Sequence, residues 1–280
     1  MPSLLSRTVL LVALGLAGCD NSVDQTIPDP LATPAGWALV WADEFDGAAL
    51  DDTKWTLQLG DGCPDLCGWG NNELQVYTPD NHTVGDGVLT ITAREGADGT
   101  YTSTRMNTEG KGDWTYGRYE IRAKLPTGQG LWPAIWMFFS DDTYGGWAAS
   151  GEIDIMENIG SRPSEVFGTL HYGGPFPDNV FSGDEFRLAA GTFADDFFVF
   201  AIEWEEGEIR WYVNNVLFQT QTSDDWFTTG SDDPAAPFDH PFHLLLNVAV
   251  GGNLPGSPDE STVFPQTMQV DYVRVYEREG

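Results

Sequence analysis

The stretch GEIDIMEN at residues 151–158 combines three acidic side chains with a regular apolar alternation. In a β-strand successive side chains point to opposite faces, so Glu152 and Asp154 share one face and the isoleucines that follow them share the other. Glu157 comes five residues after Glu152, and strict alternation would turn it toward the apolar face. One extra residue in a β-bulge near Met156 restores the parity. We therefore expect all three carboxylates on one face of a strand.

Three acidic groups on one face are costly unless they have a chemical role, because like charges repel each other. The repulsion raises the proton affinity of one member of a pair, so one carboxyl is protonated while another is ionised. Hydrolysis of a glycosidic bond uses such a pair. The alternatives are a solvated strand edge or a calcium site. Edge strands usually carry lysine rather than three acids interleaved with isoleucine and methionine.

Strand patterns continue on both sides of this segment. Apolar and polar residues alternate with a period of two, or nearly so, at residues 87–95, 119–125, 197–205, 208–218 and 269–277. Residues 243–250 form a continuous apolar run, which is typical of a central strand covered on both faces. Asn214 and Asn215 favour a tight turn, and no long amphipathic helix with caps is visible. These features predict an all-β sandwich of two packed antiparallel sheets.

The amino terminus has the pattern of an export signal. Arg7 precedes an apolar run at residues 9–16 that is too short to cross a bilayer as a permanent helix. Residues 16–19, LAGC, resemble the lipobox of bacterial lipoproteins, which implies cleavage before Cys19 and a lipid on its side chain. An ordinary signal peptide with a chance cysteine is the alternative interpretation.

We divide the chain into three parts. Residues 1–18 form the lipoprotein signal peptide, and residues 19–35 form a flexible tether that contains three prolines. Residues 36–280 form one β-sandwich domain, because composition changes nowhere strongly enough to mark a second. The chain is expected to be exported and to stay lipid-anchored at the bacterial cell envelope or to be released outside the cell, as a monomer.

The charge of the chain restricts its partners. It has 43 acidic and 13 basic residues, a net charge of −30. A nucleic acid is excluded as a partner because binding to phosphates requires positive charge, and sulfated polysaccharides would be repelled as well. A neutral polysaccharide experiences little net force. Solubility, for example in a saline habitat, is the simplest account of the charge.

Two cysteines remain if Cys19 carries a lipid. Cys63 and Cys67 are separated by Pro-Asp-Leu, and an exported protein meets an oxidising compartment in which a disulfide persists. We expect a disulfide between them that closes a small local loop. A metal site with two cysteines is the weaker interpretation, because no histidine or further cysteine lies nearby in the sequence.

Six motifs follow one another in the order of a known family. They are residues 69–75 (WGNNELQ), 116–118 (YGR), 131–137 (LWPAIWM), 152–157 (EIDIME), 168–174 (GTLHYGG) and 270–276 (VDYVRVY). This series resembles glycoside hydrolase family 16, in the bulged form of laminarinase-like endo-1,3-β-glucanases. The resemblance covers nearly the whole of residues 36–280. It implies a β-jelly-roll with a substrate groove on its concave face.

The resemblance also implies roles for the three acids. Glu152 is the expected nucleophile, Asp154 its assistant, and Glu157 the acid that later acts as a base in a retaining mechanism. The implied substrate is a neutral β-1,3-glucan, with mixed-linkage β-1,3-1,4-glucan as a second possibility. No cofactor is expected for catalysis.

Further residues are candidates for contacts with sugar. Trp132 and Trp136 are four apart in a strand-like segment and so share a face, where flat rings suit the apolar faces of glucose; a place in the core is the alternative. The resemblance adds Asn72, Arg105 and His171. Trp114 and Trp147 are weaker candidates, since a core or rim position fits them equally well.

Family members often hold a structural Ca²⁺ on the convex side. The matching positions are Glu44, Gly87 through its carbonyl, and Asp271, and such oxygen ligands suit calcium. Ordinary surface acids in an acidic protein are the alternative. One departure from the family is Leu254, which stands where many relatives have tryptophan, and it predicts a weaker or differently shaped sugar subsite.

Fold and substrate are separate questions. An agarase or a transglycosylase on the same scaffold is a second functional hypothesis. A non-catalytic glucan-binding lipoprotein is a third, although such a protein has no reason to retain all three carboxylates.

Overall fold

The computed structural model describes residues 34–280. The signal peptide, Cys19 and all but the last two residues of the tether lie outside the described residues. Within residues 34–280 the chain forms two short 3₁₀ helices, Cys67–Gly70 and Pro79–Asn81, and the remaining regular structure is β-strand. The strands are β1 Trp37–Asp43, β2 Thr56–Gln58, β3 Gln75–Tyr77, β4 His82–Gly85, β5 Val88–Glu95, β6 Tyr101–Ser103, β7 Arg105–Asn107, β8 Asp113–Trp114, β9 Gly117–Lys124, β10 Leu131–Phe139, β11 Glu152–Glu157, β12 Glu165–Gly173, β13 Asn179–Arg187, β14 Phe198–Glu205, β15 Glu208–Val213, β16 Val216–Thr222, β17 Phe242–Val250 and β18 Gln266–Arg278.

These strands form two sheets. The ten-stranded sheet has the order β16-β15-β14-β9-β18-β5-β6-β3, with β1 added at β18 and β4 added at β5. The eight-stranded sheet has the order β13-β12-β11-β10-β17-β7-β2, with β8 added at β17. Pairing is antiparallel except between β3 and β6. The predicted sandwich of antiparallel sheets is therefore confirmed, with one parallel pair at an edge.

The strands follow the periodicity of the sequence. Residues 208–218 divide into β15 and β16 at Asn214 and Asn215, whose φ angles of 48° and 62° are those of a tight hairpin turn. All nine residues of β17 are buried, as the continuous apolar run predicts. This strand lies at the centre of the eight-stranded sheet, between β10 and β7.

The core lies between the two sheets and contains large aromatic side chains. The inward side chains of β10, β11 and β17 pack against those of β9, β14, β15 and β18 in one cluster. Trp204 and Trp211 are fully buried in it. Burial of this much apolar area is the main source of stability for a sandwich of this kind. Across residues 34–280 we find no helix with the length and apolar character needed to span a bilayer.

The disulfide between Cys63 and Cys67 is present, as the sequence predicts. It closes the loop that leads into the 3₁₀ helix Cys67–Gly70. Trp69 in this helix donates its indole N–H to the carbonyl of Gly60 at 3.3 Å. The cross-link therefore shapes the segment that presents Trp69 to the eight-stranded sheet.

Candidate active site

A β-bulge in β11 decides where the three acids point. On the β10 side, Asp154 pairs with Trp136 and Met156 pairs with Ile135, so Ile155 has no partner on that strand. The register with β12 also shifts between Asp154 and Glu157. The extra residue that the sequence predicts near Met156 is thus confirmed. The isoleucines and Met156 are buried in the core, while Glu152 and Glu157 remain partly accessible.

The backbone at the bulge is held from the opposite sheet. Trp211 on β15 donates its indole N–H to the carbonyl oxygen of Asp154 at 2.9 Å. Gly168 on β12 leaves space for this ring, because a Cβ at that position would lie 2.5 Å from the Trp211 side chain. A buried carbonyl without a partner is costly, so this hydrogen bond stabilises the bulge.

Cross-strand register brings His171 against the acids. His171 on β12 pairs directly with Glu152 on β11. Its Nε2 atom lies 3.2 Å from Oδ2 of Asp154 and 3.7 Å from Oε1 of Glu152. We call the outward side of the eight-stranded sheet around Glu152, Asp154 and Glu157 the acid-bearing face.

Two tryptophans donate hydrogen bonds to the outer acids. Trp147, in the loop before β11, donates its indole N–H to Oε2 of Glu152 at 2.8 Å. Trp132 on β10 donates to Oε1 of Glu157 at 3.0 Å. Each bond favours the ionised form of its carboxylate without adding a positive charge.

Burial shifts the proton affinities of the cluster. Burial and the nearby charge of Asp154 raise the pKa of Glu152 to about 7 and the pKa of Glu157 to about 8. Burial alone would lower the pKa of His171, but its contact with Asp154 and the charge of Glu152 raise it to about 9. Near neutral pH the two outer acids can therefore retain a proton between them, beside a positively charged His171.

A second group of side chains forms the β10 side of the acid-bearing face. The guanidinium of Arg105 lies 4.4 Å from the centre of the Trp69 ring and 4.8 Å from that of Trp136. Trp136 donates its indole N–H to Asn247 at 2.8 Å, and Arg105 donates through Nε to Gln58 at 2.5 Å. Trp132 and Trp136 project on the same side of β10, as their spacing predicts, and both remain partly exposed.

Comparisons with known proteins agree with this geometry. Residues 70–274 match the family model described as glycosyl hydrolases family 16. The chain is 46% identical over 263 residues to glucan endo-1,3-beta-glucosidase A1 of Niallia circulans, covering 88% of this chain and 38% of that protein. It is 42% identical to the beta-glucanase of Rhodothermus marinus, covering 99% of this chain and 96% of the relative. The laminarinase catalytic domain of Thermotoga petrophila RKU-1 has a similar structure, with a TM-score of 0.79 and 44% identity over 87% of this chain and 99% of that one.

The chain belongs to glycosyl hydrolase family 16. The six sequence motifs and the jelly-roll architecture are thereby accounted for. The chain spans little more than a third of the Niallia circulans relative, but nearly all of the Rhodothermus marinus one.

The other candidate sugar contacts of this family 16 chain differ in their surroundings. Asn72 is exposed, has a φ angle of 57°, and donates to Oδ1 of Asn253 at 2.8 Å. This bond joins the loop after Trp69 to the loop that carries Leu254, which is 41% exposed. Asn72 thus connects two loops near Trp132, whose ring lies 3.2 Å from the position of a Cβ on Gly252.

Trp114 does not lie on the acid-bearing face, and the expectation of a sugar contact is corrected. It pairs with Phe242 on β17, and Phe242 points into the core. Directly opposite residues on neighbouring strands share a face. The ring of Trp114 accordingly packs edge-on against Trp41 and Tyr119, with centroid distances of 5.4 and 6.1 Å.

Trp147 is closer to the acids than its place among the weaker candidates implies, and Phe181 is not predicted from the sequence at all. The Trp147 signal was its position five residues before Glu152 in a loop of small residues. Phe181 is in register with His171 across β12 and β13, and nothing local in the sequence shows that pairing. Trp147 contacts Glu152 and Phe181 contacts His171, and both contacts depend on the fold.

The three expected calcium ligands come from neighbouring backbone positions. Glu44 follows β1, Gly87 precedes β5, and both of these strands pair with β18 around Asp271. The carboxylate of Glu44 accepts two hydrogen bonds from Arg274, and that of Asp271 accepts one from Arg122 at 2.6 Å. An ion at these positions would have to compete with Arg274 and Arg122 for the two carboxylates.

Among the described residues, a metal-like spacing also occurs at the acids. Ligand atoms of Glu152, Asp154 and His171 lie within 4.8 Å of one another. A metal would have to displace the proton that the raised pKa of His171 keeps on the imidazole. We therefore interpret this group as a proton-holding cluster.

The role of Trp211 can be tested by Trp211→Phe, which removes the N–H donor and keeps an aromatic ring in the core. We expect the free energy of unfolding to fall by about 1–3 kcal/mol, because a buried carbonyl loses its partner. We also expect the pKa of His171 to fall from about 9, because the bulge no longer holds Asp154 beside it. Urea unfolding and NMR titration of the His171 imidazole measure the two effects.

Trp204→Phe is the matched control. Trp204 is equally buried and donates to the carbonyl of Phe238 at 3.0 Å, away from the acids. It should lose comparable stability and keep the wild-type pKa of His171. If the His171 pKa in Trp211→Phe equals that in Trp204→Phe and in the wild type, Trp211 does not position Asp154.

Proposed function

We propose that this family 16 protein is an endo-acting glycoside hydrolase that cleaves β-1,3-glucan of the laminarin type with retention of configuration. The observation that carries the proposal is the bulge of β11, which turns Glu152, Asp154 and Glu157 to the same side. The raised pKa values of the two outer acids, about 7 and about 8, also support it, because one of them can stay protonated near neutral pH while the other is ionised.

In the proposed reaction, Glu152 attacks the anomeric carbon while Glu157 transfers its proton to the leaving glycosidic oxygen. This forms a covalent glycosyl–enzyme. Glu157, now ionised, takes a proton from water, and the resulting hydroxide releases the sugar and restores Glu152. The hydrogen bond from Trp147 orients Glu152, and the bond from Trp132 stabilises Glu157 in the step in which it is a base.

The positive charge of His171 supports the ionised nucleophile. It lies nearest to Asp154 and Glu152, so it lowers the energy of the state in which both are charged. Asp154 holds the imidazole in place and repels the negative charge of Glu157. Asp154 thus raises the pKa of both neighbours and holds the imidazolium that partly offsets this effect at Glu152.

The choice of a neutral glucan is supported by charge and by aromatic rings. A chain with a net charge of −30 repels anionic polysaccharides, and Trp132 and Trp136 offer flat apolar surfaces beside the acids. Mixed-linkage glucan is a second candidate substrate. Laminarin, lichenan, agarose and xyloglucan compared side by side distinguish the substrates, and cleavage of agarose without cleavage of laminarin would overturn the proposal.

Replacing either outer acid should abolish hydrolysis. We expect Glu152→Gln and Glu157→Gln each to lower kcat on laminarin by about 10²–10⁴-fold or more, since an uncharged amide can neither attack nor donate a proton. On an aryl glucoside whose leaving group needs no proton, only Glu157→Gln should keep the first step. Reducing-end release and the burst of the aryl product provide the measurements.

Glu95→Gln serves as the control, because Glu95 is an exposed acid on β5 of the other sheet. It should have wild-type activity, and all three variants should have the circular dichroism of the wild type. Folded Glu152→Gln protein with undiminished laminarin hydrolysis would exclude Glu152 as the nucleophile. Wild-type protein that retains laminarin but releases no oligosaccharide would identify a glucan-binding protein instead.

The pH profile should be bell-shaped with its maximum between about pH 7 and 8. Activity rises with pH as Glu152, with a pKa of about 7, becomes ionised, and falls as Glu157, with a pKa of about 8, loses its proton. His171→Gln removes a positive charge that lowers the pKa of both acids. Both limbs of kcat/KM should therefore move to higher pH, which a pH–rate series measures.

His82→Gln is the control for loss of a histidine, because His82 lies on β4 in the ten-stranded sheet. Its profile should coincide with that of the wild type. Limbs that stay in place in His171→Gln would show that His171 does not control the ionisation of the acids.

We also propose that the protein is exported and anchored through lipid on Cys19, as residues 16–19 suggest. Metabolic labelling with a radioactive fatty acid, compared between wild type and Cys19→Ala, tests the anchor. Label that is retained in Cys19→Ala would exclude this site.

We further propose that Glu44, Gly87 and Asp271 hold a structural Ca²⁺. Millimolar calcium should then raise the Tm of the protein treated with EDTA, because a ligand that binds only the folded state stabilises it. Asp271→Asn should remove this increase, whereas Asp98→Asn, at an exposed turn, should keep it. An identical Tm with and without calcium in the wild type would rule out the site.

A further inference from the structure

An aromatic strip crosses the acid-bearing face on the side away from Trp132 and Trp136. It consists of Phe176, Trp147, His171 and Phe181, and the ring-centre distances between neighbours are 6.4, 5.6 and 5.8 Å. The middle members contact Glu152, since Trp147 donates to it and His171 lies 3.7 Å away. The strip is therefore continuous with the candidate active site.

Strand register places Phe181 in line with the nucleophile. Phe181 on β13 pairs with His171 on β12, which pairs with Glu152 on β11. Side chains directly opposite one another across strands share a face. Two strand spacings, about 10 Å, separate the backbone of Phe181 from that of Glu152, which is about the length of a disaccharide.

The outer rings of the strip are open to solvent. Phe181 is 71% exposed and Phe176 is 74% exposed, the highest values among the large apolar side chains of the described residues. β13 is the terminal strand of its sheet, and an exposed aromatic ring on such a strand is a liability for aggregation. A role in binding explains why two rings lie there.

We propose that Phe181 and Phe176 bind glucosyl units of the polysaccharide on the β13 side of the cleaved bond. This inference rests on the proposed glucanase function. Pyranose rings present apolar C–H faces that pack on aromatic rings, and their neutrality suits a surface that combines these rings with buried acids. Trp132 and Trp136 lie on β10, so aromatic rings would contact the polysaccharide on both sides of the acids.

The side-chain pattern of β13 fits a polysaccharide that passes over this strand. Gly183 lies two residues beyond Phe181 on the same face and pairs with Thr169 beside Asp154. A Cβ there would lie 2.5 Å from the carbonyl of Gly168. No side chain therefore projects from residue 183 beside the Phe181 ring, which leaves the ring edge and face free for a sugar.

The test uses Phe181→Ala and a series of β-1,3-glucan oligosaccharides of increasing length, ending with laminarin. We expect the ratio of variant to wild-type KM to increase with chain length to about fivefold, the effect of one lost stacking contact. Phe181→Tyr keeps a ring and should restore the wild-type KM. Leu217→Ala, which removes an exposed apolar side chain from β16 of the other sheet, should change no parameter.

The outcomes separate the two proposals. Wild-type protein that cleaves no β-1,3-glucan would overturn the proposed function itself. Active wild type with a KM ratio that is the same at every chain length would overturn the binding role of Phe181. A shifted pH–rate profile with unchanged KM would also overturn it, because the ring would then act only by packing on His171.

Discussion

The odd spacing between Glu152 and Glu157 constrains the rest of the structure. A regular strand that kept Glu152 and Asp154 outward would turn Glu157 into the core and Met156 out of it. Of the two, a buried carboxylate without partners is far more costly than an exposed methionine. The bulge avoids both outcomes, and it leaves one backbone carbonyl that needs a hydrogen-bond donor from the opposite sheet. Trp211 provides the donor from the opposite sheet, and Gly168 leaves room for its ring. The acids are thus oriented by the core of the sandwich and not by β11 alone.

The same cluster must keep one acid charged and another protonated within a small space. Salt bridges to arginine would lower the pKa of both outer acids and would remove the proton that the reaction needs. The structure uses neutral indole donors at Glu152 and Glu157, and it places its one nearby imidazolium against Asp154 and Glu152. Hydrogen bonds of this kind hold the side chains in position while burial keeps their pKa values high.

Local sequence patterns were sufficient for β5, β9–β11 and β14–β18, the hairpin at Asn214 and Asn215, the bulge and the disulfide, but they did not predict β12 or β13 as strands. Each depends on residues that are close together in the sequence, where their spacing decides the outcome. The positions of Trp114 and Phe181 depend instead on which residue of a distant strand lies opposite. Trp114 faces the core because it pairs with Phe242, and Phe181 faces the acids because it pairs with His171. That register is a property of the assembled sheet, so a single sequence does not reveal it.

Placement of the few basic residues supports this interpretation of the site. Arg118, Arg122, Arg210 and Arg274 form ion pairs on the ten-stranded sheet, away from the acids. Arg162 and Arg187 pair with Glu165 at the start of β12 in the eight-stranded sheet. The guanidinium of Arg105 is enclosed by the rings of Trp69 and Trp136. The electron-rich ring faces attract this cation. Arg105 lowers the pKa of Glu152 from a distance, with a smaller influence than burial or Asp154. Because these arginines pair elsewhere and burial outweighs the charge of His171, Glu157 keeps a raised pKa and can hold its proton near neutral pH. A strongly acidic protein thus still retains a neutral proton donor where the proposed reaction requires one.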